Sequence, residues 1–179
     1  MRLFVAIALP DEARAALGRF ASGLPGARWI PPENLHLTLR FLGEIDRGEA
    51  EDLDAALSTI HAPAFTLAFD GLGTFGNDRA QRALWMGAAA NSMLDHLHGK
   101  VESATVRSGL PSERRKFKPH VTLARLKNTP IERLREYLTL HGGIATPSFE
   151  VQAFTLFQSH LGEEGARYEA LAEYPLLLP

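Results

Sequence analysis

Apolar and polar positions along the chain follow two different periods, and the changes of period divide it into strands and helices. Leu3 to Leu9 is a short apolar run ended by Pro10, the pattern of a buried strand at about 2–8. From Pro10-Asp11 the apolar spacing widens to fours and threes through Ala13, Leu17, Phe20 and Leu24, the stripe of a helix. Pro31-Pro32 stops any helix, and residues 34–43 then alternate strictly. A half-buried strand is predicted there, with Leu35, Leu37, Leu39 and Phe41 turned to the core and His36 and Thr38 to the other face. A helix at about 47–60 carries Leu53, Leu57 and Ile60 on one side. Strand-like runs at 65–69 and 82–86 flank the glycine-rich segment 71–76, and a third helix over about 91–108 buries Leu94, Leu97 and Val101.

The second half resembles the first. A connection rich in Pro and charge, 111–119, leads to a strand at 120–126 and a helix at about 131–140. Two final strands, about 149–158 and 167–174, flank the turn Gly162-Glu163-Glu164-Gly165. Several strand pairs lack a helix between them, which favours an α+β fold with antiparallel pairing over a doubly wound parallel sheet.

Composition narrows the chemistry. A chain of 179 residues is about one domain, or two small lobes sharing a core. It contains no cysteine, which removes disulfides, thiolate nucleophiles and Cys-based zinc or iron–sulfur sites and fits a reducing cytoplasm. No apolar run approaches the roughly 20 residues of a spanning helix. The first run follows a single Arg2 and lacks a small-residue cleavage site, so a cytoplasmic chain is expected. The net charge of −2 is no whole-protein signature of nucleic-acid binding. Seven histidines remain as the reactive groups near neutral pH.

Two of them are arranged. His36-Leu37-Thr38-Leu39 is echoed 84 residues later by His120-Val121-Thr122-Leu123. On each strand the imidazole and the hydroxyl share one face, against an apolar backing on the other. Either motif alone reads as an ordinary polar strand face. The pair, with one spacing and each after a proline-bearing connection, points to a shared site. Two imidazoles across a cleft can work in opposite protonation states, one taking a proton and the other giving one. Hydroxyls beside them can donate hydrogen bonds to phosphoryl or carbonyl oxygens. Metal-free in-line displacement at phosphorus needs these parts.

Local charge supports an anionic substrate. Residues 113–127 hold Arg114, Arg115, Lys116, Lys118, Arg125 and Lys127 against Glu113, a local +5 that leaves −7 for the remainder. A guanidinium fork suits phosphate, which draws attention to Arg125. Strict alternation puts Arg125 on the face opposite His120, so it reaches the site only if the strand ends or bulges near Ala124. The other histidines read as structural. His96 and His98 diverge on a helix, His61 and His141 close helices, and His160 precedes a turn. Gly71-x-Gly73-x-x-Gly76 matches a dinucleotide fingerprint only formally, since it opens no helix.

With these residues in view the sequence resembles the two-histidine (2H) phosphoesterase superfamily, whose signature is a pair of His-x-Thr/Ser-x motifs. More narrowly it is similar to the bacterial and archaeal RNA 2′,3′-cyclic phosphodiesterases, historically called 2′-5′ RNA ligases. The likeness runs through 2–7, 34–43 and 117–125, and through 154–159 and 166–169 near the end. It implies a bilobal α+β fold over residues 1–179, two antiparallel sheets related by a pseudo-two-fold axis around a central cleft, with helices outside. It implies opening of a terminal 2′,3′-cyclic phosphate on RNA, tRNA halves among the candidates, to leave a 2′-phosphate without metal or cofactor. In some members it implies the reverse 2′-5′ joining without ATP. By this analogy His120 would activate water, His36 would protonate the departing 3′-oxygen, and Thr38, Thr122 and Arg125 would hold the phosphate. The sequence alone does not fix which histidine is acid and which base. Many members have an acidic residue where this chain has Ala8-Leu9-Pro10. Phe4, Phe117 and Tyr168 are candidates for base stacking, with core packing the preferred reading. A monomer is expected. The alternatives are a small cyclic nucleotide such as ADP-ribose 1″,2″-cyclic phosphate as substrate, a module that binds RNA ends without turnover, and a histidine-based metallohydrolase, for which clustered ligands are too few.

Overall fold

The computed structural model describes residues 1–77 and 79–179. Four helices and ten strands lie along the described residues. The strand β1 (Arg2–Ala8) has five consecutive buried residues, as its unbroken apolar run requires. The helix α1 (Asp11–Gly18) is shorter than the apolar stripe, and Phe20 and Leu24 are buried beyond its end. The short strand β2 (Ala27–Trp29) precedes one 3₁₀ turn at Pro32–Asn34, and β3 (His36–Glu44) carries the first motif.

Next comes α2 (Arg47–Ser58), started by a reciprocal cap: Glu49 N–H donates to Asp46 Oδ1 at 2.8 Å and Asp46 N–H to Glu49 Oε2 at 2.8 Å. The strands β4 (Phe65–Leu67), β5 (Phe69–Gly76) and β6 (Gln81–Ala88) follow. The glycine-rich segment expected between two strands is therefore itself strand. The reason is steric: a Cβ on Gly73 would lie 2.2 Å from the Trp85 ring, so glycine lets the indole lie flat across the strand. The chain ends with α3 (Ser92–Arg107), β7 (His120–Leu126), α4 (Ile131–His141), β8 (Phe149–Val151), β9 (Ala153–Gly162) and β10 (Gly165–Pro175).

All strand pairing within the sheets is antiparallel, as expected for the α+β class. The order β10-β9-β1-β3 makes one half, and β7-β6-β5 with β2 beside β7 makes the other. The halves meet through one register pair, Leu37↔Val121, and so join edge to edge into one eight-stranded sheet. A separate ribbon, β4-β8, stands apart. Leu37, Leu39, Val121 and Leu123 belong to the same buried cluster as Leu53, Leu57, Leu94, Leu97 and Val101 of the helices. The opposite face of the same two strands is left for the cleft. Among the described residues no helix is long and apolar enough to cross a membrane.

One local irregularity occurs in both motif strands. Along β1–β3 the register steps from Ala6↔Thr38 to Val5↔Arg40, and along β6–β7 from Trp85↔Thr122 to Leu84↔Ala124. Each motif strand thus carries an extra residue just past its threonine, Leu39 or Leu123, and a bulge flips the faces beyond it; β3 has a second shift at Leu42. Two consecutive buried residues mark the flip, Leu39-Arg40 in one strand and Leu123-Ala124 in the other. This corrects the alternation reading at Phe41. The ring is 43% exposed instead of buried, while Arg40 is 8% exposed on the core side. There Arg40 meets Glu102 at 3.4 Å and Glu113 at 3.8 Å and donates to the Pro111 carbonyl.

Candidate active site

Antiparallel pairing at Leu37↔Val121 sets His36 across from Thr122 and Thr38 across from His120 by register. His36, Thr38, His120 and Thr122 all line one cleft of about 280 Å³. Arg125 joins them, because the bulge at Leu123-Ala124 returns it to the His120 face. The five residues singled out in the sequence are therefore brought together. No Asp or Glu lines this cleft among the described residues, and Arg2 adds a second guanidinium to its wall. Overall balance of charge hides a cationic cavity.

The imidazoles are held alike. His36 Nδ1 lies 2.7 Å from the Asn34 carbonyl oxygen, and His120 Nδ1 lies 2.5 Å from that of Lys118. A carbonyl can only accept, so Nδ1–H donates in both, and the neutral ring keeps its lone pair on Nε2. Each carbonyl is anchored through its own residue's side chain. Asn34 donates from Nδ2 to the Ala166 carbonyl at 2.8 Å, and the Lys118 ammonium lies 5.0 Å from the centre of Trp85 and 5.6 Å from that of Phe75. Aromatic rings wall both histidines: Phe4 at 4.9 Å and Tyr168 at 5.2 Å for His36, Phe75 at 4.9 Å and Trp85 at 5.9 Å for His120.

Burial pushes the His36 pKa below the ordinary histidine value, against its hydrogen bond to Asn34, and the charge of His120 pushes it further down. Burial also lowers His120, opposed by the bond to Lys118, with the Lys118 charge lowering it again. Both rings are therefore neutral more readily than a free imidazole, and each senses a cation nearby. That arrangement can accept a proton at one Nε2 and deliver one from the other, with hydroxyls and a guanidinium beside them. Among the described residues no three His, Asp or Glu side chains gather into a metal-binding group.

Of the six cations in 113–127, only Arg125 lines the cleft, and Arg115 pairs with Glu113 at 3.4 Å. The base-stacking candidates separate. Phe4 is 4% exposed beneath His36, Phe117 is stacked face to face on His98 at 3.7 Å away from the cleft, and Tyr168 lines the cleft wall. The missed residue is Phe41. It lines the cleft with the Arg2 guanidinium 5.2 Å from its ring centre. Its signal was available, since Phe41 and Arg125 are separated by the same 84 residues as the two histidines.

The family model described as LigT-like phosphoesterase matches residues 7–85 and 88–168. An RNA 2′,3′-cyclic phosphodiesterase of Thermus thermophilus is 36% identical over 98% of this chain and 90% of its own. One of Geobacillus stearothermophilus is 34% identical over 97% of this chain, which spans 57% of that protein's length. The solved structure of E. coli LigT with 3′-AMP superposes with a TM-score of 0.79 at 31% identity, covering 98% of this chain and 97% of that one.

Proposed function

The chain belongs to the LigT-like phosphoesterase family, and on that premise we propose that it is an RNA 2′,3′-cyclic phosphodiesterase working by paired-histidine acid–base catalysis. The observation that carries this reading is the convergence of two Nδ1-anchored imidazoles, two threonines and Arg125 in one cleft that no carboxylate lines among the described residues. His120 Nε2 takes a proton from water as its oxygen attacks phosphorus. The bond from phosphorus to the 3′-oxygen breaks, and His36, protonated on Nε2, gives its proton to that leaving oxygen. A 2′-phosphate remains. An imidazolium is stabilised in either ring because Nδ1–H already donates to a main-chain carbonyl. Thr38, Thr122 and Arg125 bind the non-bridging oxygens as charge builds on them, and the exposed face of Phe41 receives the terminal base. Each half supplies one histidine, so residues 1–179 act as one catalytic unit, and a single chain suffices.

The test is an assay in EDTA on RNA ending in a 2′,3′-cyclic phosphate. Conversion to the 2′-phosphate is expected. A cyclic end that persists at high protein concentration, or a product carrying a 3′-phosphate, overturns the reading. The same assay run on a mononucleotide separates an RNA end from a small cyclic nucleotide as the preferred substrate.

A further inference from the structure

Arg28 stands directly across from Arg125 in the β2–β7 ladder. Like charges opposite each other on neighbouring strands are destabilising. Among the described residues neither arginine forms a salt bridge that would relieve this pair. The polar contact of Arg28 is a long one, 3.4 Å from its guanidinium to the Glu164 carbonyl oxygen, and its side chain is exposed.

Three placements aim Arg28 at the cleft mouth. Its cross-strand partner Arg125 lines the cleft. Ile30, two residues further on, lines it too, and alternation brings Arg28 back to that side. Its guanidinium reaches the turn of the β9–β10 hairpin, whose Leu161 and Ala166 form part of the facing wall. Arg28 therefore spans the entrance from the His120 half to the His36 half, beside the arginine assigned to the reacting phosphate.

An RNA end differs from a mononucleotide in bringing a second anion, the phosphodiester on the 5′-oxygen of the terminal nucleoside. We propose that Arg28 binds this phosphodiester, so that Arg28 and Arg125 form a two-arginine subsite selecting polynucleotide ends over mononucleoside cyclic phosphates. The inference rests on the proposed reading of the cleft and extends it to the next nucleotide. Residues paired across antiparallel strands have Cα atoms about 4.5–5.5 Å apart, so two guanidinium forks can each take one of two successive phosphates. The incoming strand turns their mutual repulsion into a shared attraction. The long contact to Glu164 is weak enough to be exchanged for a charged partner.

The experiment compares kcat/KM on a mononucleoside 2′,3′-cyclic phosphate and on a dinucleotide with the same cyclic end. Wild type, Arg28→Ala and Arg28→Lys are measured at several salt concentrations. The dinucleotide-to-mononucleotide ratio should fall roughly tenfold or more in Arg28→Ala and recover in part in Arg28→Lys. The salt dependence on the dinucleotide should flatten by about 0.7 in log–log slope, the value for one single-strand phosphate contact. An unchanged ratio overturns the subsite, including the case in which both substrates lose equally because Arg28 only ties down the hairpin. Wild-type protein that opens neither substrate overturns the reading of the cleft, and the subsite with it. The two failures are thus told apart by the wild-type rates.

Discussion

The two halves around the cleft are built alike up to one position. Each offers an imidazole anchored on the carbonyl two residues earlier, a threonine two residues later, and a bulge that turns the sixth residue of the motif into the cleft. At that sixth position the His36 half has Phe41 and the His120 half has Arg125. The shared part is what the proposed proton transfer calls for, two such groups in opposite states. The differing part matches the two ends of a nucleotide. A flat apolar ring suits a base, and a charged fork suits a phosphate. On the proposed reading, duplication supplies the symmetric chemistry, and divergence at one residue fits the asymmetric substrate.

The largest expected effects come from the shared part. His36→Ala and His120→Ala should each lower kcat by roughly 10²–10⁴-fold in a cyclic-phosphate assay. The double variant should be little worse than either single one, since both act in one displacement. A small loss in one variant alone would break the equivalence of the halves. Arg125→Ala should cost roughly 10²–10³-fold, as expected for a donor to the charge developing at phosphorus. Phe41→Ala should cost roughly tenfold, with Phe41→Tyr close to wild type, since stacking a base is worth about 1–3 kcal/mol. If Phe41→Ala matched Arg125→Ala, or lost nothing on RNA, the division of labour between base and phosphate would not stand.

Much of this site is legible in the sequence. The paired motifs, their facing and the antiparallel α+β class follow from periodicity and repetition. What alternation misplaced lies just beyond Thr38 and Thr122, where a bulge reverses the faces. A bulge is set by the neighbouring strand, with β1 stepping against β3 and β6 against β7, and no single strand's pattern contains it. Hence Phe41 read as core although it lies exposed in the cleft, while Arg40 is buried against half-buried carboxylates from α3 and the loop after it. The resemblance supplied Arg125 where periodicity alone denied it. Segment 71–76 misled for a related reason. Gly73 is there for Trp85 on the next strand, a tertiary cause that reads locally as a turn.

The smallest effect is also the sharpest test of asymmetry. Both histidines are held below the ordinary value of 6.5, so the bell-shaped pH dependence of kcat/KM should lie toward acid. Only His120 has a lysine among the causes of its shift, and that lysine sits on the rings beside it. Removing the charge in Lys118→Met leaves the main-chain carbonyl in place and raises the His120 pKa while sparing His36. A general base must be unprotonated in the free enzyme, so if His120 is the base, the acid limb moves to higher pH and the alkaline limb stays. If His120 is the acid, it must be protonated, and the alkaline limb moves up instead. The limb that shifts therefore assigns the two roles, which near-identical geometry leaves open. A profile that does not move at either limb would mean that Lys118 has no hold on His120, and that the halves are electrostatically as well as geometrically alike.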